Sequence, residues 1–187
     1  MSVDVTETAL TFECDGEDLV GILHSPISPN PIGVLIVVGG PQYRVGSHRH
    51  FVQLARKLAR NGFAVFRFDC RGMGDSSGDT RNFECSQLDI QEAVETFFEN
   101  IPAMQGYIAW GLCDAASAIL MHISSDNRLR GAVLLNPWVR QADTLAQTTL
   151  SHHYSKQFTS IDAWRRVFSG QVAIHTSIAA VLRGISA

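Results

Sequence analysis

An unbroken apolar run, Gly33-Val34-Leu35-Ile36-Val37-Val38, cut off at once by Gly39-Gly40-Pro41, limits this chain to few architectures. A β-branched run with no polar alternation suits a strand covered on both faces, the kind found in mostly parallel sheets. The residues after it repeat the theme. Phe51, Leu54, Ala55 and Leu58 recur at helical spacing and predict an amphipathic helix stopped by Asn61-Gly62. Residues 63–68 are the next strand, and a loop from Asp69 to Gly78 succeeds it. Ser86 and Asp89 resemble a capping box for a helix with Ile90, Val94, Phe97 and Phe98 on one face. Tyr107 to Trp110 is another strand, Asp114 to about Ser124 an apolar and hence buried helix, and Gly131 to Leu135 one more buried strand.

Ahead of these units, the first 25 residues alternate polar and apolar positions around Asp15-Gly16, which predicts a hairpin at a sheet edge. About six strands result. Strands alternating with helices define an α/β fold, a mostly parallel sheet with helices on both faces. With 187 residues, the chain suits one core, expected over residues 1–140. Residues 141–187 carry Phe158, Ile161, Trp164, Val167 and Phe168 at helical spacings but no clear strand, and read as a helical, cap-like segment.

Composition removes several function classes. Hydrophobic residues make up 45% and charged residues 18%, as in ordinary globular chains. A net charge of -3 and a pI near 6.1 lack the basic field that a nucleic-acid partner requires. No apolar run approaches the ~20 residues needed to span a bilayer. The N-terminus has no basic stretch leading into an apolar one, and the four cysteines show neither paired nor metal-binding spacing. A reduced, cytoplasmic protein without metal or cofactor is expected.

The chemistry concentrates at Trp110-Gly111-Leu112-Cys113-Asp114-Ala115, a sharp turn from apolar strand to apolar helix. A nucleophile elbow reads G-x-S-x-G, with small residues beside the nucleophile because the backbone there is strained and closely packed. Gly111 and Ala115 are those small residues, and Cys113 stands at the nucleophile position. The helix start favours a thiolate. The neighbouring carboxylate of Asp114 opposes it. An oxyanion hole takes one donor from the residue after the nucleophile, here the Asp114 N–H. It takes a second from the loop after the first buried strand, here Gly40 or Gln42. Pro41 has no N–H to give. Asp69 and Arg71 read as braces for neighbouring loops, and Cys14, Cys70 and Cys85 as structural.

Taken together, residues 39–49, Arg67-Phe68-Asp69 with residues 71–76, Trp110 to Ala115, and residues 134–140 make the chain similar to the α/β-hydrolase superfamily. More specifically, it resembles the exosortase A system-associated hydrolases of the first type. That resemblance implies a bacterial protein linked to envelope polysaccharide and protein sorting. It also implies a hydrolase or acyltransferase that uses Cys113 on an ester or thioester, with a small-molecule acyl substrate. In the superfamily an acid and then a histidine come on later strands, and residues 141–187 show neither element. His48 and His50 flank the oxyanion loop, while His152, His153 and His175 lie in the tail near Asp143 and Asp162. No motif makes any of them the base, so slow acylation and poor turnover are expected. The alternative is a truncated, catalytically silent member that serves as a binding module or is a non-functional fragment. Missing final strands would leave a sheet edge open to self-association.

Overall fold

A computed structural model describes residues 4–40 and 42–138. The expected cap-like segment over 141–187 lies outside them.

The apolar run becomes β3 (Ile32–Val37), and its alternate side chains enter two separate cores. Leu35 and Val37 join one cluster, Val34 and Ile36 the other. A strand with no polar face therefore sits at the middle of a sheet covered on both sides. On one face lies α1 (His50–Arg60), which inserts Phe51 and Ala55 against Val34, Ile36 and Val65. The opposite face is covered by α2 (Gln87–Asn100) and α3 (Asp114–His122), through Ile90, Val94, Phe97 and Ile119.

Six strands among the described residues form one sheet in the order β1-β2-β4-β3-β5-β6. β1 (Val5–Cys14) and β2 (Glu17–Pro26) make the expected hairpin, antiparallel from Val5↔Pro26 to Cys14↔Glu17. Its turn residues Asp15 and Gly16 both take positive φ, 56° and 80°, as a two-residue hairpin turn requires. β2 pairs antiparallel with β4 (Val65–Phe68). From there the sheet is parallel: β4 with β3, β3 with β5 (Gly106–Leu112), and β5 with β6 (Leu129–Leu135). The fold is the mostly parallel α/β sheet that the sequence predicts.

Two local expectations fail. Ser86 does not cap α2; its hydroxyl donates to the Phe83 carbonyl at 2.8 Å. Asp89, the other half of the expected capping box, is buried against Arg71 instead, 2.6 Å from its Nε. A buried guanidinium outcompetes a backbone N–H for a carboxylate. The second failure concerns β6. It pairs with β5 alone among the described residues, and Val133 and Leu135 are 43% and 42% exposed. Among the described residues it is an edge strand with one exposed face, not a strand buried on both.

The topology fixes where chemistry can occur. From β3 the chain crosses by α1 to β4 on one side of β3, whereas β5 lies on its other side. Two adjacent strands whose connections leave toward opposite faces open a crevice at their carboxyl ends, the usual ligand position in open α/β sheets.

Candidate active site

The crevice between the ends of β3 and β5 holds the two sequence motifs. β5 ends at Leu112, α3 starts at Asp114, and Cys113 alone makes the turn. Its backbone sits at φ 58°, ψ -118°, a combination that residues with side chains seldom adopt. Such a conformation costs about 1–3 kcal/mol and persists only where the surroundings enforce it. Here the sheet does so: the Cys113 N–H donates to the Leu135 carbonyl at 2.8 Å, which carries the β5–β6 ladder through the turn. The Cys113 carbonyl accepts the first helical bond from the Ser117 N–H at 3.2 Å. Cys113 is exposed.

The small residues around the turn are obligatory. A Cβ on Gly111 would lie 2.6 Å from Ile119 Cδ1 and 2.8 Å from the Ala115 carbonyl carbon. A Cβ on Gly39 would lie 2.3 Å from the Ala115 nitrogen and 2.9 Å from the Asp114 carbonyl carbon. The end of β3 therefore packs backbone to backbone on the first turn of α3. Gly40 comes next at φ 62°, and a Cβ there would be 3.2 Å from Asp114 Oδ2. The loop and the elbow named from sequence are thus brought together. Gly40 lies against Asp114. Gln42 stands two residues on, its Oε1 buried without a hydrogen-bond partner among the described residues.

Buried charge fixes this loop. The Arg44 guanidinium bonds Asp69 and also Asp75, the latter at 2.6 Å, while the Arg44 N–H donates to Asp69 Oδ1 at 2.6 Å. Burial raises the Asp69 pKa above the usual carboxylate value, against the hydrogen bonds from the Asp75 and Arg44 N–H groups. Arg67 on β4 donates to the Arg44 carbonyl at 3.1 Å and to Nε2 of the fully buried His24 at 3.0 Å. Arg71 bonds Asp89 and, at 2.7 Å, Asp15. Asp69 and Arg71 are loop braces as expected, each with its own partner. Cys14 and Cys70 are buried, and burial raises both thiol pKa values, that of Cys14 to about 12. Cys85, at the 3-10 turn before α2, is exposed.

Sequence reasoning misses the residue that completes the elbow. Trp138, three residues past β6, donates its indole N–H to Asp114 Oδ1 at 2.6 Å. Its backbone N–H donates to Ser117 Oγ at 2.9 Å, and its carbonyl accepts from the same hydroxyl at 2.5 Å. The indole packs on Phe83 with ring centroids 5.4 Å apart. Cys113 Sγ lies 3.7 Å from the same Asp114 Oδ1. The one signal in the sequence is that Trp138 falls in the family-like stretch 134–140.

Among the described residues no histidine bonds Cys113. His50 Nδ1 meets the Ser47 carbonyl at 2.6 Å, and the His48 carbonyl accepts from Gln53. His152, His153, His175, Asp143 and Asp162 lie outside the described residues. No group of three His, Cys, Asp or Glu among the described residues is placed to hold a metal. A cavity of about 10 Å³ beneath Gly40 and Asp114, walled by Asn82 and Phe83, has room for no more than one water. Clefts of about 360 and 590 Å³ include no residue of the elbow.

The family model of the serine aminopeptidases, S33, matches residues 29–175. No curated protein sequence matches the chain significantly. Among solved structures, an esterase of Pyrococcus furiosus superposes with a TM-score of 0.64 at 18% identity, covering 82% of this chain and 57% of its own. The α/β hydrolase GrgF from a Penicillium species gives 0.63 at 21%, covering 84% and 55%. Est1E from Butyrivibrio proteoclasticus, with ferulic acid bound, gives 0.62 at 20%, covering 75% and 57%. The chain thus spans little more than half the length of these relatives, and the likeness is one of fold. With the family match over most of its length, the chain belongs to the serine aminopeptidase S33 family of the α/β-hydrolase superfamily.

Proposed function

We propose that the chain is an acyl-transfer enzyme, a hydrolase or acyltransferase, in which Cys113 takes the place of the elbow serine. The observation that carries this reading is the exposed cysteine at φ 58°, ψ -118° between a sheet strand and a helix start. Strain at such a position persists where function needs the side chain aimed at a ligand. The Cys113 sulfur attacks the acyl carbon of an ester or thioester. The Asp114 N–H, with that of Gly40 or Gln42, donates to the oxyanion. The leaving group departs with a proton, and an acyl-Cys113 thioester remains for water or a second acceptor. A free thiol is already a few per cent thiolate at neutral pH, so acylation has less need of a base than a serine does. Deacylation by water does need one.

The substrate is a small-molecule acyl donor, and the esterase-like fold of the structural neighbours supports that class. The resemblance of residues 39–49 and 134–140 supports a place beside the exosortase and exopolysaccharide machinery of a bacterium, in the cytoplasm. The neighbouring genes in the source genome test this link, and polysaccharide-export and exosortase genes are expected there.

Incubation with 4-nitrophenyl acetate and then intact mass measurement tests the chemistry. An acetyl adduct that Cys113→Ala abolishes is expected, formed in a burst before slow turnover. A second reading, a catalytically silent binding module, is favoured by the lack of a histidine on Cys113 among the described residues. Absence of any adduct on the wild-type chain would decide for it.

A further inference from the structure

We infer that the outer edge of β1 is a docking site for an extended basic segment of a partner protein, which adds to the sheet as a further strand. The inference does not depend on the chemistry of Cys113. Among the described residues β1 ends the sheet, with β2 as its one neighbour. The two-residue turn at Asp15-Gly16 makes Cys14 and Glu17 a hydrogen-bonded pair, and at the far end the Ile27 N–H donates to the Asp4 carbonyl at 3.3 Å. Alternation between these two points turns the backbone groups of the even positions toward β2. The N–H and C=O groups of Val5, Glu7, Ala9, Thr11 and Glu13 therefore point outward and meet no strand among the described residues. Natural sheet edges are blunted by short length, a bulge, lysine or proline. β1 uses none of these: it runs ten residues, its register is one-to-one throughout, and it contains neither Lys nor Pro.

Charge beside the edge selects the partner. Leu10 and Phe12 pack on the core beneath α2, whereas Glu7 pairs with Arg56 of α1 on the other face. Between β1 and α2 a cleft of about 360 Å³ runs past Leu10, Phe12 and Glu13, and Glu92, Glu95, Thr96 and Glu99 form its helical wall. No lysine or arginine lines it. Glu95 is taken by Arg128 at 2.6 Å, but Glu92 and Glu99 pair with no cation among the described residues. A strand laid on this edge sends every second side chain along the acidic wall. Lys or Arg at those positions meets Glu92 and Glu99 with its charge and covers Leu10 and Phe12 with its stem. A second copy of β1 is the wrong occupant, because a two-fold pair sets two acidic walls side by side.

The probe is a fluorescein-labelled peptide of alternating Lys and Thr, as long as β1, titrated with the full chain and followed by fluorescence anisotropy. Saturable binding that weakens with salt is expected. A peptide of alternating Lys and Pro carries the same charge but cannot continue a ladder, and should not bind. Nor should a peptide of alternating Glu and Thr. In the protein, Thr11→Pro removes an outward N–H and leaves the β1–β2 ladder its bonds, so binding should weaken about tenfold. Glu92→Gln combined with Glu99→Gln should weaken it about fivefold. Thermal melts check that each variant is folded, and the comparison of Thr and Pro peptides on the wild-type chain decides even where Thr11→Pro is destabilised. No binding of the Lys and Thr peptide overturns the inference, as does equal binding of the Glu and Thr peptide. Equal binding of the Lys and Pro peptide overturns it too, since charge attraction without an added strand then accounts for the whole effect.

Discussion

Cys113 occupies a backbone conformation that its own side chain disfavours, and the residues that hold it there do so by being small. Gly39 shows this best, because a Cβ there would meet main-chain atoms of Asp114 and Ala115 that have no rotamer by which to yield. Gly39→Ala should therefore lower the denaturant midpoint, by about 1–3 kcal/mol of stability. It should also slow Cys113 acylation by roughly 10²-fold, since it displaces the elbow from the loop. Equilibrium unfolding and adduct formation measured on one preparation check this. A fully stable, fully reactive Gly39→Ala would mean that the contact between loop and elbow is loose.

Between elements, polar contacts run as a relay from the hairpin to the loop after β3. Glu7 on β1 faces His24 on β2 at 3.6 Å, His24 accepts from Arg67 on β4, and Arg67 holds the Arg44 carbonyl. Arg56 of α1 in turn bonds Glu7 at 2.6 Å. Burial and the Arg67 charge push the His24 pKa down to about 4, with Glu7 pulling the other way. Above pH about 6.5 the imidazole is neutral in both folded and unfolded chains and adds no pH dependence. As pH falls from there toward 4, the unfolded chain takes up a proton that the folded chain refuses, so stability declines. Below about 4 this contribution levels off. The loss should reach about 3 kcal/mol across the window. Urea unfolding at several pH values, wild type minus His24→Gln, isolates it from the acid titration of the carboxylates. A difference curve flat between pH 4 and 6.5 contradicts the relay.

Elements are also where the sequence is most legible. Periodicity locates every strand and α-helix that the structure describes, because burial on one or two faces leaves a local pattern. The elbow is legible for the same reason, as a motif of adjacent residues in a strand-to-helix context. Trp138 is not. Its partners Asp114, Ser117 and Phe83 lie 21 to 55 positions away in the chain, and no local pattern encodes them. Asp89 misleads for a related reason: a local spacing suggests a cap, and a buried arginine 18 residues away takes the carboxylate.

Among the described residues the sheet has two edge strands, β1 and β6. β6 offers an unpaired edge among the described residues, with Val133 and Leu135 exposed, and Leu120, Met121 and Ile123 of the neighbouring α3 segment are also 42% to 48% exposed. We propose that this edge supports self-association, because an apolar strand edge pairs readily with another. Sedimentation velocity over a concentration series should show association that Val133→Lys reduces, since a charge on an edge strand blunts pairing. A monomer at every concentration argues against it. Among the described residues no helix is long and apolar enough to cross a membrane.

We propose that Cys113 is the nucleophile because of where the fold puts it, and the chain supplies its own control. Cys85 is exposed too, but it belongs to a 3-10 turn and to no elbow. Peptide mapping after brief treatment with limiting 4-nitrophenyl acetate measures the two thiols in one sample. A single acetyl group on Cys113 and an unmodified Cys85 are expected. Acetyl shared equally between them, or found first on Cys85, would show that exposure alone governs reaction and that the elbow confers nothing.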